Sequence, residues 1–250
     1  GWSDSDNAST VRLLDFDADG LADFCARANA GIRCWRSTGS GFGASITGPE
    51  LADASGWDDP MYFTTLRAAD FDGDGKDDLC VRSSWGFACY PSTGTGFGAA
   101  VAGPALSNAA GWNAIARYAT IRMGDIDGDG KADVCGRDST GVRCWLSDGA
   151  GFPTEIAGPA WSDAAGFDDP MYFTTIRLAD VDGDGKADLC TRTSTDFRCY
   201  LATGSSFGPG VIGPAWSTAS GWGEADNYST IRLGDLDGDG DLDLCARANS

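Results

Sequence analysis

Short runs in which apolar and polar residues alternate recur along the chain, separated by clusters of glycine, aspartate and asparagine. In the first repeat they predict strands at 10–14 (TVRLL), 23–27 (DFCAR) and 31–35 (GIRCW), and a weaker fourth strand that follows Phe42 and ends before Gly48. Their short length and their threonine, β-branched and aromatic residues favour strands over helices. Four short strands with glycine-rich turns are typical of one blade of a β-propeller.

This pattern recurs every 55 residues without insertion or deletion, with repeats starting near residues 1, 56, 111, 166 and 221. The counterparts of the first strand read TLRAA, TIRMG, TIRLA and TIRLG. A period this strict marks a repeat architecture. We therefore expect an all-β chain, a β-propeller of four-stranded blades with four full repeats and a half blade. We expect one domain over residues 1–250 rather than two smaller ones.

An acidic loop of the form DxDGDGxxD lies between the first two strands of most repeats, as in 180–188 (DVDGDGKAD). Carboxylates at positions 1, 3, 5 and 9 offer hard oxygen ligands, and the glycine at position 6 permits a turn that lets the carbonyl of position 7 face an ion. This oxygen set suits Ca²⁺, whereas zinc and copper prefer nitrogen and sulfur donors. A plain solvated turn is the alternative, but four clustered carboxylates repel one another without a cation.

We therefore predict about five calcium ions, one in each repeat. The predicted carboxylate ligands are Asp15, Asp17, Asp19, Asp23, Asp70, Asp72, Asp74, Asp78, Asp125, Asp127, Asp129, Asp133, Asp180, Asp182, Asp184, Asp188, Asp235, Asp237, Asp239 and Asp243. The predicted carbonyl donors at position 7 are Leu21, Lys76, Lys131, Lys186 and Asp241.

Nine cysteines follow the same period. They form four pairs, each nine residues apart, and one cysteine without such a partner: Cys25/Cys34, Cys80/Cys89, Cys135/Cys144, Cys190/Cys199 and Cys245. Each pair flanks a predicted hairpin turn, which places its cysteines opposite each other within bridging distance. We predict four disulfides, each contributing roughly 2–3 kcal/mol, and hence a secreted, extracellular protein. Reduced thiols or a cysteine-rich metal site are the alternative, although the spacing is unlike that of zinc pairs.

Composition narrows the function classes. A formal net charge of −19 argues against nucleic acid and against anionic membrane surfaces, and 20 of the 37 acidic residues occupy positions 1, 3, 5 and 9 of the acidic loops. There is no histidine, which excludes histidine-dependent nucleophile systems and histidine-ligated zinc. The sequence has no apolar run of about 20 residues and opens without a basic and apolar leader, so we expect no membrane insertion and a mature or excised segment.

Two further residue sets follow the repeat. The disulfide register predicts cross-strand pairs of Phe24 with Trp35, Leu79 with Tyr90, Val134 with Trp145 and Leu189 with Tyr200, which we interpret as core. Arginines recur at Arg12, Arg67, Arg122, Arg177 and Arg232, and again at Arg27, Arg82, Arg137, Arg192 and Arg247. We interpret them as charge partners that fix the calcium loops or adjacent blades, with ligand binding as the alternative.

The linkers between blades carry the residues that vary. Trp161 and Trp216 occur only in the later linkers. Two repeats carry the segment DDPMYF where the others have different residues, and its tyrosine is Tyr62 in one repeat and Tyr172 in the other. Variation on a fixed scaffold is where binding residues usually lie. We therefore take these four aromatic residues as ligand candidates, with packing between blades as the alternative.

The acidic motif between two strands, followed by a hairpin and then a Phe-Gly pair, resembles the FG-GAP repeat of integrin α-subunits and bacterial VCBS-type repeats. The Phe-Gly pairs are Phe42-Gly43, Phe97-Gly98 and Phe207-Gly208, and Phe152-Pro153 departs from the pattern. The resemblance implies a propeller stiffened by calcium, commonly with seven blades. It also implies binding, because some relatives are lectins and others bind proteins.

The sequence holds four full repeats and the first half of a fifth. Cys245 would then be a free thiol, would pair between chains, or would belong to a longer parent. A half blade also exposes an unpaired strand edge, which favours self-association.

Together these features predict a secreted, calcium-stabilised binding module, most consistent with a lectin that binds carbohydrate or a cell-surface glycoprotein. Trp and Tyr offer flat apolar faces for sugar rings. The alternatives are a protein-interaction or adhesion domain, or a non-catalytic module of a larger secreted enzyme. We expect no enzymatic activity, because the loop aspartates serve the metal and no other pair of acids stands out.

Overall fold

Each full repeat folds into one four-stranded antiparallel sheet in a computed structural model that describes residues 2–238 and 242–248. The strands of the first two sheets are β1 Arg12–Leu14, β2 Asp23–Ala28, β3 Gly31–Ser37, β4 Phe42–Thr47, β5 Arg67–Ala69, β6 Asp78–Arg82, β7 Phe87–Tyr90 and β8 Val101–Ala102. Those of the next two sheets are β9 Arg122–Gly124, β10 Asp133–Arg137, β11 Val142–Leu146, β12 Thr154–Ala157, β13 Arg177–Ala179, β14 Asp188–Arg192, β15 Phe197–Ala202 and β16 Phe207–Ile212. A two-stranded sheet of β17 Arg232–Gly234 and β18 Asp243–Cys245 follows.

The strands within each sheet lie in chain order, joined by hairpins. The predicted all-β class, with four-stranded blades repeated in tandem and a half blade, is therefore confirmed. The fourth strand varies most in length, from six residues in Phe42–Thr47 to two in Val101–Ala102, so the prediction that it is the weaker strand holds clearly only in the second repeat.

The register of each central hairpin follows the cysteines. Cys25 pairs with Cys34 across β2 and β3, and the four predicted disulfides form with Cα atoms 4.0–4.1 Å apart. All four predicted aliphatic and aromatic cross-strand pairs form in the expected register. In the later three pairs the aliphatic residue is buried and its aromatic partner is partly exposed.

One-turn helices precede the first strand of each repeat: α1 Ser5–Ala8, α2 Pro60–Phe63, α3 Ile115–Tyr118, α4 Pro170–Phe173 and α5 Ala225–Tyr228. Short 3-10 turns at Asp53–Ser55, Asp163–Ala165 and Thr218–Ser220 lie earlier in three of the linkers. In α2, the Asp59 side chain accepts a hydrogen bond from the backbone N–H of Met61, and Pro60 occupies the first turn. Four residues are too few to show helical periodicity, so the sequence pattern does not predict these helices.

The chain divides into two compact units. Unit 1 covers the chain up to Tyr118 together with Ser147–Phe152, and unit 2 covers Ala119–Leu146 together with the chain from Pro153 onward. Unit 1 is built around a core that includes Phe16, Leu66 and Val81. The prediction of one domain over residues 1–250 stays a prediction.

One arginine set crosslinks the first strands of successive repeats within a unit. In unit 1 the Arg12 Nε donates to the Leu66 carbonyl oxygen at 3.1 Å. In unit 2 the Arg122 Nε donates to the Ile176 carbonyl oxygen at 3.0 Å. Burial, and then the charge of Arg12, lowers the pKa of Arg67 to about 9. The acceptors that these bonds use are neutral carbonyls rather than the loop carboxylates.

The second arginine set is completely buried in the four full sheets, with Arg82, Arg137 and Arg192 at 0% exposure. Arg137 donates to the carboxylate of Asp163 at 2.7 Å and to the Trp161 carbonyl in the following linker. Arg192 instead donates to neutral oxygens, including the Thr218 hydroxyl at 2.7 Å. These side chains therefore fix the linkers against the sheets rather than the acidic loops, which corrects part of the charge-partner interpretation.

Candidate metal loops and ligand pockets

The first carboxylate of each acidic loop holds the loop in shape. Asp70 Oδ1 accepts from the backbone N–H of Gly73 at 2.7 Å, and its Oδ2 accepts from Gly75 N–H at 2.8 Å. Gly75 adopts a positive φ of 85°, which glycine tolerates without strain. The same bonds recur around Asp125 and Asp180. The loop backbone is thus organised by its own aspartate.

Carboxylate oxygens converge in every repeat, with oxygens of three aspartates within 4.8 Å of one another. The clusters are Asp15/Asp17/Asp19, Asp70/Asp72/Asp78, Asp125/Asp127/Asp133, Asp180/Asp182/Asp184 and Asp235/Asp237/Asp243. Burial, and then the charge of Asp74, raises the pKa of Asp72 above its usual value. Of the predicted fifth-loop ligands, Asp239 and Asp241 lie outside the described residues.

One orphaned oxygen tests whether these clusters fit a cation. Asp17 Oδ1 is buried and has no hydrogen-bond partner among the described residues, while its Oδ2 accepts from Arg36. A buried carboxylate oxygen without a donor is costly unless a cation approaches it. An all-oxygen donor set around such an atom fits Ca²⁺. Metal ligation itself stays a prediction for all of these residues.

In the four full repeats the carboxylates at position 9 are buried, and they also have a structural role. Asp78 Oδ2 accepts from Phe71 N–H at 3.0 Å, and its Oδ1 accepts from Ser92 N–H at 2.6 Å. Asp78 therefore ties its acidic loop to the turn that follows the third strand of its sheet. Desolvation raises the pKa of Asp78 to about 7 and that of Asp188 to about 6.

The lysines at position 7 bind within their own loops. Lys76 Nζ contacts Asp74 Oδ2 at 2.6 Å, and Lys131 and Lys186 make the same contact with Asp129 and Asp184. From the loop pattern, only the backbone carbonyls of these residues are predicted to have a role. Their ammonium groups offset part of the loop's negative charge, at exposed positions where such pairs contribute little stability.

The second candidate feature is an aromatic pocket of about 280 Å³ in unit 2, which we call the repeat-4 pocket. It is lined by Ala160, Trp161, Ala165, Phe167, Tyr172, Thr193, Ser194 and Tyr200. Trp161 stacks on Phe167 with ring centroids 5.7 Å apart and meets Tyr200 edge-on at the same distance. Trp161 is only 3% exposed, so it forms the floor. Tyr172, Thr193 and Ser194 contribute hydroxyl groups to the residues that line the pocket.

An equivalent pocket, the repeat-2 pocket, lies in unit 1 and measures about 80 Å³. It is lined by Ser55, Trp57, Tyr62, Ser83, Ser84 and Trp85. A shift of 110 residues relates five of these to residues of the repeat-4 pocket: Ser55 to Ala165, Trp57 to Phe167, Tyr62 to Tyr172, Ser83 to Thr193 and Ser84 to Ser194. Both belong to the two repeats that contain DDPMYF. None of the residues that line either pocket is charged.

A buried arginine fixes the tyrosine of each pocket from beneath. The guanidinium of Arg82 lies 5.5 Å from the Tyr62 ring centroid, and that of Arg192 lies 5.2 Å from the Tyr172 ring centroid. The Tyr62 hydroxyl also accepts a hydrogen bond from Asn108 Nδ2 at 3.0 Å. Both rings are therefore held in fixed orientations, which lowers the entropy cost of binding a ligand.

The four ligand candidates therefore fall into two groups. Tyr62, Tyr172 and Trp161 line pockets, whereas Trp216 stacks on Trp222 at 4.2 Å within the core of unit 2. Whether any of them binds a ligand stays a prediction. Sequence reasoning missed Trp85, which is 83% exposed. The sequence feature that could have identified Trp85 is an aromatic residue in a hairpin turn where the other full repeats have alanine or threonine.

A scan with family models matches the FG-GAP-like repeat at residues 15–81, 70–135, 125–191 and 180–246. No curated protein sequence matches the chain. Among the described residues, no helix is long and apolar enough to cross a membrane.

Solved structures share the fold at low identity. A structure of an Agrocybe aegerita lectin, which specifically recognises non-reducing terminal N-acetylglucosamine, is 20% identical with a TM-score of 0.73. The match covers 94% of this chain and 56% of the lectin chain. The Photorhabdus luminescens Tc holotoxin pore is also 20% identical, with a TM-score of 0.61, over 94% of this chain and 10% of that chain. The chain thus spans about half the length of the lectin that it matches.

Proposed function

This chain belongs to the FG-GAP-like repeat family, and from that premise we propose that it is a secreted, calcium-stabilised module that binds carbohydrate. The observation that carries the proposal is the pair of equivalent aromatic pockets in repeats 2 and 4. Each combines aromatic rings with hydroxyl groups and has no charged side chain in its lining. Apolar ring faces suit the C–H faces of sugars, and hydroxyls suit hydrogen bonding. Neutral sugars are therefore the expected ligands.

The similarity to a lectin supports this proposal, since that protein recognises terminal N-acetylglucosamine. A glycan array, followed by calorimetry with N-acetylglucosamine, tests it. We expect weak binding to each site, and avidity when several sites engage a multivalent glycan. The double variant Tyr62→Ala/Tyr172→Ala should abolish binding. Trp2→Ala, an exposed aromatic outside both pockets, is the matched control and should bind normally.

Calcium has a structural role in this proposal. The ion would be held by the aspartates of each acidic loop, whose clusters recur once in each repeat. It would neutralise carboxylates that lie between the first two strands of each sheet. The pockets lie on other parts of the sheets and linkers, so calcium would act on binding through the stability of the fold.

The four disulfides support the proposal that the protein is secreted, because disulfides persist in oxidising compartments. We infer binding without catalysis, because both pockets lack acids and bases in their linings. Hydrolysis of a bound glycan would contradict this inference.

Self-association is a further proposal. Among the described residues, β18 pairs with β17 alone, and Cys245 on β18 is exposed and not bonded. An open strand edge favours pairing with another chain. Sedimentation of the protein with and without reductant tests this.

A further inference from the structure

One position of the third strand distinguishes repeat 2 from the other full repeats. The residue before the second cysteine is Arg33 in repeat 1, Arg143 in repeat 3 and Arg198 in repeat 4, but Ala88 in repeat 2. Arg143 contacts Asp138 at 2.8 Å and also binds Glu155, while Arg198 contacts Asp196 at 2.7 Å. Arg143 and Arg198 thus cover their sheets as part of local ion pairs.

The acidic partners are also missing in repeat 2. Its residues at the positions of Asp138, Asp196 and Glu155 are Ser83, Gly86 and Ala100 respectively. The arginine is absent from repeat 2 alone among the full repeats, whereas each of these acids occurs in a single repeat. Ala88 and the three small residues at the acid positions all line one cavity, which opens where the other full repeats carry an arginine.

This cavity, which we call the Ala88 groove, has a volume of about 440 Å³. Its floor is the sheet face on which Ala88 pairs with Val81 on one side and with Ala102 on the other. Aromatic walls come from Trp57, Phe87, Tyr90 and the exposed Trp85. None of the residues that line the groove is charged, so it suits an apolar and uncharged group.

The groove is continuous with the repeat-2 pocket, because Trp57, Ser83 and Trp85 line both. The pocket, at about 80 Å³, holds only part of a sugar ring, so the remainder of a ligand extends toward the groove. In the repeat-4 pocket, the corresponding surface carries Arg198, which packs near Gly210.

We propose that the Ala88 groove binds the apolar aglycone of a glycoside whose neutral sugar occupies the repeat-2 pocket. This inference rests on the proposed function and adds the ligand class of one site. Repeat 2 would thus recognise an alkyl or aryl glycoside, whereas repeat 4 would recognise the sugar alone. Burying the methylene groups of the aglycone in the groove is favourable because apolar surface is removed from water, and methylene groups need no hydrogen-bond partners.

Calorimetry with the methyl and hexyl β-glycosides of N-acetylglucosamine tests the inference. The measurements use the full chain with Tyr172→Ala, so that only the repeat-2 pocket binds. We expect the hexyl glycoside to bind at least about tenfold more tightly than the methyl glycoside. Trp85→Thr, which introduces the residue of repeat 4, should remove most of this preference.

Two variants close the groove in different ways. Ala88→Arg restores the residue of the other repeats, and Ala88→Leu fills the space without adding a charge. Both should bind the methyl glycoside normally and lose the preference for the hexyl glycoside. Near-ultraviolet circular dichroism checks that each variant is folded.

The outcomes separate the two proposals. Equal affinity for both glycosides in the parent protein, or a hexyl preference that survives both Ala88 variants, overturns the groove inference and leaves the sugar site intact. Binding of neither glycoside refutes this sugar site and the inference together.

Discussion

Asp77 in the second acidic loop is bonded twice to Asp15 in the first. The backbone N–H of Asp77 donates to the Asp15 carbonyl at 2.8 Å, and Asp77 Oδ2 accepts from the Asp15 backbone N–H at 2.9 Å. Asp15 is itself a predicted metal ligand. The conformation of one acidic loop is therefore connected to its neighbour by one backbone bond and one side-chain bond within unit 1.

The Asp77 side chain gives a first prediction. Asp77→Ala leaves the Asp15 N–H without its carboxylate acceptor, and it introduces the residue found at this position in three other loops. We expect a loss of about 1 kcal/mol in the free energy of unfolding with calcium present, measured by urea denaturation. Asp77→Asn keeps an acceptor oxygen and should cost less. Asp168→Ala, at an exposed position, is the control.

Calcium removal should lower stability greatly, because the apo loops bring carboxylates within a few ångströms of one another. When the free calcium concentration is 100 times the Kd of a site, that site contributes about 2.7 kcal/mol to the free energy of unfolding. Thermal melts in excess calcium and in EDTA measure this difference. Asp70→Asn should reduce the calcium response by about one site, whereas an unchanged melting curve in EDTA would refute the metal assignment.

The buried carboxylates predict how the metal-free protein responds to pH. Since the pKa of Asp78 is raised to about 7 and that of Asp188 to about 6 by desolvation, the folded state binds these protons more tightly than the unfolded state. Their contribution to stability is present below the unfolded pKa of 3.8 and is lost as the pH rises through the folded values. Calcium-depleted protein should therefore be more stable at pH 5 than at pH 8.

Calcium should reverse that trend, because the ion competes with protons for the same carboxylates. The affinity for calcium should rise between pH 5.5 and pH 8, as measured by titration calorimetry. Equal stability of the depleted protein at pH 5 and pH 8 would contradict the assigned desolvation.

The buried arginines predict a fourth result. Arg137→Met leaves the buried Trp161 carbonyl without its donor and removes the partner of the partly exposed Asp163 carboxylate, so we expect a loss of about 1–3 kcal/mol in unfolding free energy. Arg192→Met removes only hydrogen bonds to neutral acceptors and the contact with the Tyr172 ring, so we expect a smaller loss of unfolding free energy. Chemical denaturation of both variants compares them. A larger loss for Arg192→Met would show that linker packing, rather than charge pairing, dominates at this position.

Much of the fold was predictable from local spacing. The strands, the four disulfides and the partners of Phe24 and Leu79 follow from a period of 55 residues and from cysteines nine residues apart. An antiparallel hairpin has only one register that places two such cysteines opposite each other. The 55-residue period also locates the acidic loops, because the predicted ligands of each loop lie within nine residues of one another in the sequence.

The ligand pockets were only partly predictable. Tyr62 and Tyr172 could be selected because their hexapeptide occurs in two repeats. Trp216 varies in the same way but packs in the core, where Trp222 and Phe197 contact it. The sequence pattern does not distinguish an aromatic residue that packs from one that lines a pocket.

The sequence by itself determined the repeat, its blade, its disulfides and the positions of the acidic loops, because each depends on contacts between residues close in the chain. Only the tertiary structure decided that Arg82 supports Tyr62, that Asp77 bonds to Asp15, and that Ala88 opens a groove beside Trp85. These relationships depend on which side chains different repeats and linkers bring together, and on the volume that each leaves unfilled.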